Sequence, residues 1–100
     1  MPDHYVFFGT DKPDHAAVRA ERRESHRSYI RTRRDGVVAV VGGPTFGSDG
    51  QMNGTMLVLE AGSLEAVRDF IQNDPYSQAG LFAQVEIRRW HWGLGQPADG

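Results

Sequence analysis

The sequence predicts one α+β domain with elements in the order β-α-β-β-α-β, and three observations carry that prediction. Four short stretches rich in β-branched and aromatic residues are bounded by turn residues, as strands are. Two other stretches repeat their apolar residues every three or four positions, as helices lying on a core do. The clearest turn signals, Asp35-Gly36 and Asn73-Asp74-Pro75, fall where one periodicity gives way to the other.

Tyr5 to Gly9, YVFFG, is the first strand. TDKPDHAAV then opens a helix, with Asp11 as its N-cap and Pro13 in the first turn, where a missing N–H costs nothing. This helix is expected to run to Arg34 and stop at Asp35-Gly36. Val37 to Pro44, VVAVVGGP, is a β-branched strand that enters a glycine-rich loop, Gly42 to Gly54, read as a pocket rim or a hairpin. The third strand is Thr55 to Glu60, TMLVLE. Ser63 caps a second helix, whose Leu64, Val67, Phe70 and Ile71 form one apolar stripe and which ends at Asp74. Ala83 to Trp92 is the last strand. The domain occupies residues 1–95, and the tail, 96–100, has nothing to pack and is expected to be disordered. The order is that of the split βαβ, or ferredoxin-like, arrangement: two helices on one face of a four-stranded antiparallel sheet.

The other face of that sheet is not polar in the sequence. Val37 to Val41 and Met56 to Leu59 are apolar on both sides, and Trp90 and Trp92 are expected beside Tyr5 and Phe7. A patch of that size marks an interface, so a homodimer through the sheet face is expected.

Composition removes several classes of function. With 39% hydrophobic and 24% charged residues, the 100-residue chain is ordinary globular protein. No apolar run approaches the roughly 18 residues that cross a bilayer, and MPDHYVFFGTDKP lacks a signal pattern, so no membrane partner and a cytoplasmic location are expected. Zero cysteines exclude disulfides and thiolate chemistry. His4, His15 and His91 share no ligand spacing, so neither a metal nor another cofactor is expected. Ten of the eleven basic residues are arginine, seven of them between Arg19 and Arg34. Interspersed with Glu21 and Glu24, these read as a solvated helix face. A pI near 6.0 and the absence of an RNA-binding strand motif exclude a dedicated nucleic-acid binder.

Two residues draw attention as chemistry. On a helical wheel with Val18 at zero, His26 falls at about 80°, inside the inward stripe that holds Tyr29 at about 20° and Ile30 at about 120°. Pro75 restricts Asp74 to extended backbone angles, which sends its side chain out of the helix in a fixed direction. The spacing permits a carboxylate–imidazole dyad, in which one ring nitrogen is held protonated and the other is left as a base.

The chain also resembles the YCII-related (YciI-like) family over nearly its whole length. TDKPDHAAVRAERRESHRSYI is similar to the opening of that family, and GGP, SDG, NGTMLVLEAGSLEAVRDFIQNDPYSQAGLF and VEIRRWHW follow in its order. The D-P-Y…A-G-L-F segment is the most specific part. The resemblance implies an active site pairing His26 with Asp74, and assembly as a dimeric α/β barrel. It also implies proton abstraction next to a carbonyl, as in dehydrochlorination of hydroxyquinones or lactone isomerisation. Arg22, one turn before His26, then becomes a candidate to hold an enolate or a carboxylate, or to bridge to Glu21 instead. Tyr29 and Tyr76 are candidates to line the pocket or simply to pack. The chain departs from the family at Arg88-Arg89-Trp90, where R-P-W is common, and at Arg27, where an apolar residue often follows the histidine.

Two functions follow. One is a small cofactor-independent enzyme using His26 and Asp74 for elimination or isomerisation on a small cyclic or aromatic molecule. The other is a non-catalytic homodimer that binds a small ligand or a protein, with the dyad serving structure.

Overall fold

A computed structural model describes residues 2–96. The expected disordered tail, 96–100, falls almost wholly outside the described residues. The elements are β1 (Asp3–Asp11), α1 (Ala16–Ile30), β2 (Val38–Phe46), β3 (Met52–Ala61), α2 (Leu64–Gln72), α3 (Pro75–Gln78) and β4 (Phe82–Trp90). The strands form one antiparallel sheet in the order β2-β3-β1-β4. This is the ferredoxin-like topology expected, with one added helical turn, α3.

Boundaries differ from those expected, each for an identifiable reason. Asp11 does not cap α1; it ends β1, and the N-cap position is taken by His15, which makes no side-chain cap bond. α1 stops at Ile30 rather than Arg34 because Arg34 and Val37 exchange backbone hydrogen bonds of 3.1 and 2.8 Å. Between them Asp35 and Gly36 both adopt positive φ, 50° and 81°, the geometry of a tight hairpin turn. That turn delivers Val37, 1% exposed, to the core. Most of the glycine-rich segment is strand: β2 and β3 extend through it, and the turn is confined to Gly47–Gln51, closed by Gly47 N–H to Gln51 O at 2.9 Å.

The core lies between the sheet and α2. Tyr5 and Phe7 of β1 and Leu57 and Leu59 of β3 meet Val67 and Phe70 of α2. Ser63 caps α2 as expected, its hydroxyl accepting from the Ala66 N–H at 3.1 Å. α1 is built differently. Its buried residues are Arg19, His26 and Tyr29, all polar, whereas those of α2 are Val67, Phe70 and Ile71.

Two expectations about the sheet are corrected. Registry pairs His4 with Trp90 and Phe7 with Ile87. Strand alternation therefore puts Trp90 on the face opposite Tyr5 and Phe7, where it packs edge-on against His4 at 6.4 Å. The outer face remains apolar all the same, with Phe8 46% and Val41 47% exposed. The sheet is also not closed into a barrel. β2 and β4 are its free edges, and four strands give too small a circumference to close around side chains.

Candidate active site

Asp74 sits at the junction of α2 and α3 with φ −64° and ψ 135°, the extended angles that a following proline imposes. Its carboxylate accepts the Tyr76 N–H at 2.9 Å, capping α3, and lies 1% exposed. His26 reaches it from α1, its Nδ1 standing 2.9 Å from both carboxylate oxygens. An ionised carboxylate only accepts, so Nδ1 carries the proton and Nε2 holds the lone pair in the neutral ring. The expected contact is thus present in the structure, and Asp74 is at once a helix cap and the partner of an imidazole.

Nε2 has no hydrogen bond among the described residues, while every fully enclosed side-chain nitrogen or oxygen there has a partner. Nε2 is therefore the ring atom that retains access to solvent. It opens toward a cavity of about 250 Å³ between α1 and the β2–β3 hairpin, which His26 and Tyr76 line together with Thr55 and Gly42. Gly42 is required there: a Cβ on it would overlap the Leu57 side chain. Tyr76 stacks on the imidazole with ring centroids 4.0 Å apart and an interplanar angle of 15°. The Arg19 guanidinium lies 4.8 Å from the centre of the same ring. Arg19 and His26 are seven residues apart on α1, about 10.5 Å along its axis, and Tyr76 packs against both.

Arg19 is fixed by a bidentate pair with Asp11, at 2.7 and 2.9 Å, and by a bond to Thr55 Oγ1 at 2.8 Å. Burial alone would lower its pKa, but the hydrogen bonds and charge of Asp11 outweigh this and raise it, so Arg19 is a permanent cation. Burial also raises the Tyr76 phenol above its ordinary 10.0, opposed by the charges of Arg19 and Arg23. Tyr76 is therefore a neutral donor at physiological pH.

Of the five residues singled out in the sequence, the structure brings His26, Asp74 and Tyr76 together and places the other two elsewhere. Arg22 is half exposed, 3.8 Å from Glu21, and does not line this cavity. Tyr29 donates to the Phe70 carbonyl at 2.7 Å and lies under the Arg34 guanidinium, outside this cavity. Sequence reasoning missed Arg19, Arg23, Thr55 and Asp11. The same wheel puts Arg19 at about 100°, next to His26, and Arg23 at about 140°, so both arginines were within its reach.

A ferredoxin-like domain with a buried histidine–aspartate pair opening on a cleft is the class of protein these features define. The profile of the YCII-related domain family matches residues 4–91, and the chain belongs to that family. A solved relative is the 5-chloro-2-hydroxyhydroquinone dehydrochlorinase TftG of Burkholderia phenoliruptrix, in complex with 2,5-dihydroxybenzoquinone. It is 34% identical, superposes with a TM-score of 0.79, and the match covers 90% of this chain and 95% of that one. The derivative of benzaldehyde biosynthesis cluster protein C of Emericella nidulans is 34% identical over 77 residues, covering 70% of this chain and 76% of the relative. An uncharacterized protein of Haemophilus influenzae is 25% identical over 91 residues, 85% of this chain and 93% of its own. Among the described residues no helix is long and apolar enough to cross a membrane, and no cluster of three candidate metal ligands occurs.

Proposed function

We propose that this protein is a cofactor-independent enzyme that moves a proton on a small cyclic or aromatic carbonyl compound, with His26 as the base and Asp74 as its orienting partner. The carrying observation is the state of the imidazole: Nδ1 is held by a buried carboxylate while Nε2 is left without a partner at a cavity. A histidine serving only the fold needs no unpartnered nitrogen at a cavity.

The chemistry follows from the parts. Nε2 accepts a proton from the position next to the carbonyl, and the C–H electron pair moves into an enolate. The imidazolium is stabilised by Asp74. The enolate then expels a leaving group such as chloride from the adjacent carbon, or is reprotonated at another position. Base catalysis of this kind contributes about 10²–10⁴ in rate. Likeness to a chlorohydroxyhydroquinone dehydrochlorinase over nine tenths of the chain favours elimination. The unpartnered outer sheet face, with Phe8 and Val41 exposed, favours a second copy of the chain as its cover.

The test is chloride release, and solvent deuterium incorporation, across a panel of chlorinated hydroquinones and small cyclic ketones, with wild type and His26→Asn compared. Asparagine can still donate to Asp74 from the place of Nδ1, so the fold is kept while Nε2 is removed. The expected result is a fall in turnover of about 10²–10⁴. Equal turnover in the variant refutes His26 as the base.

A further inference from the structure

Resting on that reading of His26, we propose that the cavity over Nε2 binds a small organic anion, a carboxylate or an ionised enol oxygen, with Arg23 as its counter-ion. The lining contains Arg19, Arg23 and Arg27, at four-residue spacing along α1, and Arg31 at its C-cap, and no acidic residue. Two of the positive charges at this site are already answered: Asp11 holds Arg19, and Asp74 stands ready for an imidazolium at His26. Arg27 is 3.6 Å from Glu24, a largely exposed pair of little strength. Arg23 and Arg31 take part in no ion pair among the described residues.

The wall facing α1 adds no charge. Gly42, Gly43 and Pro44 of β2 and Met52 and Thr55 of β3 are all uncharged. The cleft therefore keeps a net positive field, which draws anions and holds them. Arg23 lines the same cavity as His26 and Tyr76, so a cation without a partner shares the wall with the base. A cavity of about 150 Å³ holds benzene, so 250 Å³ takes one substituted six-membered ring. A neutral substrate would leave Arg23 without a partner. An anionic one would be oriented by it, and charge developing on an enolate would be stabilised there as well.

The experiment follows the His26 imidazole NMR signals during titration with benzoate, with 2,5-dihydroxybenzoquinone in its ionised form, and with the neutral isostere benzamide. Wild type, Arg23→Gln, Arg23→Lys and Arg22→Gln are compared. Arg22→Gln removes the same charge from a position of the same helix that does not line the cavity, and both positions are exposed enough for the fold to survive. At least one anion is expected to bind wild type about tenfold more tightly than benzamide. Arg23→Gln weakens that binding about fivefold, Arg23→Lys regains part of it, and Arg22→Gln leaves it nearly unchanged. Preference for benzoate identifies a carboxylate, and preference for the quinone an ionised enol oxygen. Binding of both anions no tighter than that of benzamide, equal losses in Arg22→Gln and Arg23→Gln, or no binding of either anion at millimolar concentration overturns the proposal. Turnover that needs His26 in a cavity blind to charge would remove the anion site alone. Anion binding that needs Arg23 in a protein whose turnover ignores His26 would remove the base alone.

Discussion

Replacing Asp74 by asparagine separates a dyad from a mere helix stop. The asparagine Oδ1 can still accept the Tyr76 N–H, so the cap of α3 survives. Its amide nitrogen, however, donates where the second carboxylate oxygen accepted. Facing that donor, Nδ1 must become the acceptor, and the ring proton moves to Nε2, which can then no longer take one. The energetic part follows from burial. Exposures of 7% for His26 and 2% for Asp74 leave the pair little screened by water. A hydrogen bond to a charged group contributes about 1.5–3 kcal/mol and a neutral one about 0.5–1.5, so Asp74→Asn costs about 1–2 kcal/mol. In a domain of this size that lowers Tm by about 4–16 °C. Imidazole nitrogen NMR reads the tautomer, calorimetry the melting point, and chloride release the activity. A folded variant with the wild-type tautomer and an unchanged Tm would refute the reasoning, and Asp74 would be punctuation.

Other outcomes test the frame around the site. Arg19→Ala leaves Asp11 buried without its partner and should cost about 3–5 kcal/mol in urea unfolding, whereas Arg19→Met with Asp11→Leu should recover most of it. A loss in the range of about 0–1 kcal/mol, as for a surface pair, would contradict the burial assigned to it. Burial holds the phenols of Tyr29 and Tyr76 above 10.0, so the folded state keeps protons that the unfolded chain has lost. Their contribution is complete below the unfolded value and is lost as pH rises through the raised folded values. Stability measured from about pH 9 to 11 should therefore fall, and less steeply in Tyr76→Phe. If the outer sheet face seats a second copy, sedimentation at micromolar concentration should show a dimer and Phe8→Asp a monomer. A monomeric wild type would contradict that assembly.

Much of this arrangement is written in local pattern. Val6 and Val58 pair across β1 and β3, Ser63 caps α2, and Pro75 makes Asp74 extended, each through interactions within a few residues or one strand pairing. What local pattern could not supply came from longer range. The stop of α1 at Ile30 depends on the Arg34–Val37 bridge and on burial of Val37, neither of which a helical wheel contains. Asp11 read as an N-cap because Asp before Pro is a cap signal. Its carboxylate is instead taken by Arg19, whose partners lie 8 and 36 residues away in sequence. The wheel could not choose between Arg22 and Arg23, which flank His26 at about 40° and 140°; only the packing of β2 and β3 against α1 puts Arg23 and not Arg22 on the cavity wall.

The contrast between the two long helices ties the fold to the chemistry. α2 buries Val67, Phe70 and Ile71 and would be recognised as structural in any domain. α1 buries Arg19, His26 and Tyr29, and each of them reaches a fixed partner on another element: Asp11 and Thr55, Asp74, and the Phe70 carbonyl. Polar groups in such positions often add no more stability than apolar ones of the same size, because desolvation offsets much of what their hydrogen bonds contribute. An apolar stripe would hold α1 to the sheet at least as well. Local rules broken in one place, with every fully enclosed side-chain polar atom among the described residues satisfied, fit a site kept for chemistry. α1 is thus where the fold gathers its buried polar groups: it carries His26 to Asp74, sets Arg19 against Tyr76, and lines the cleft with arginines.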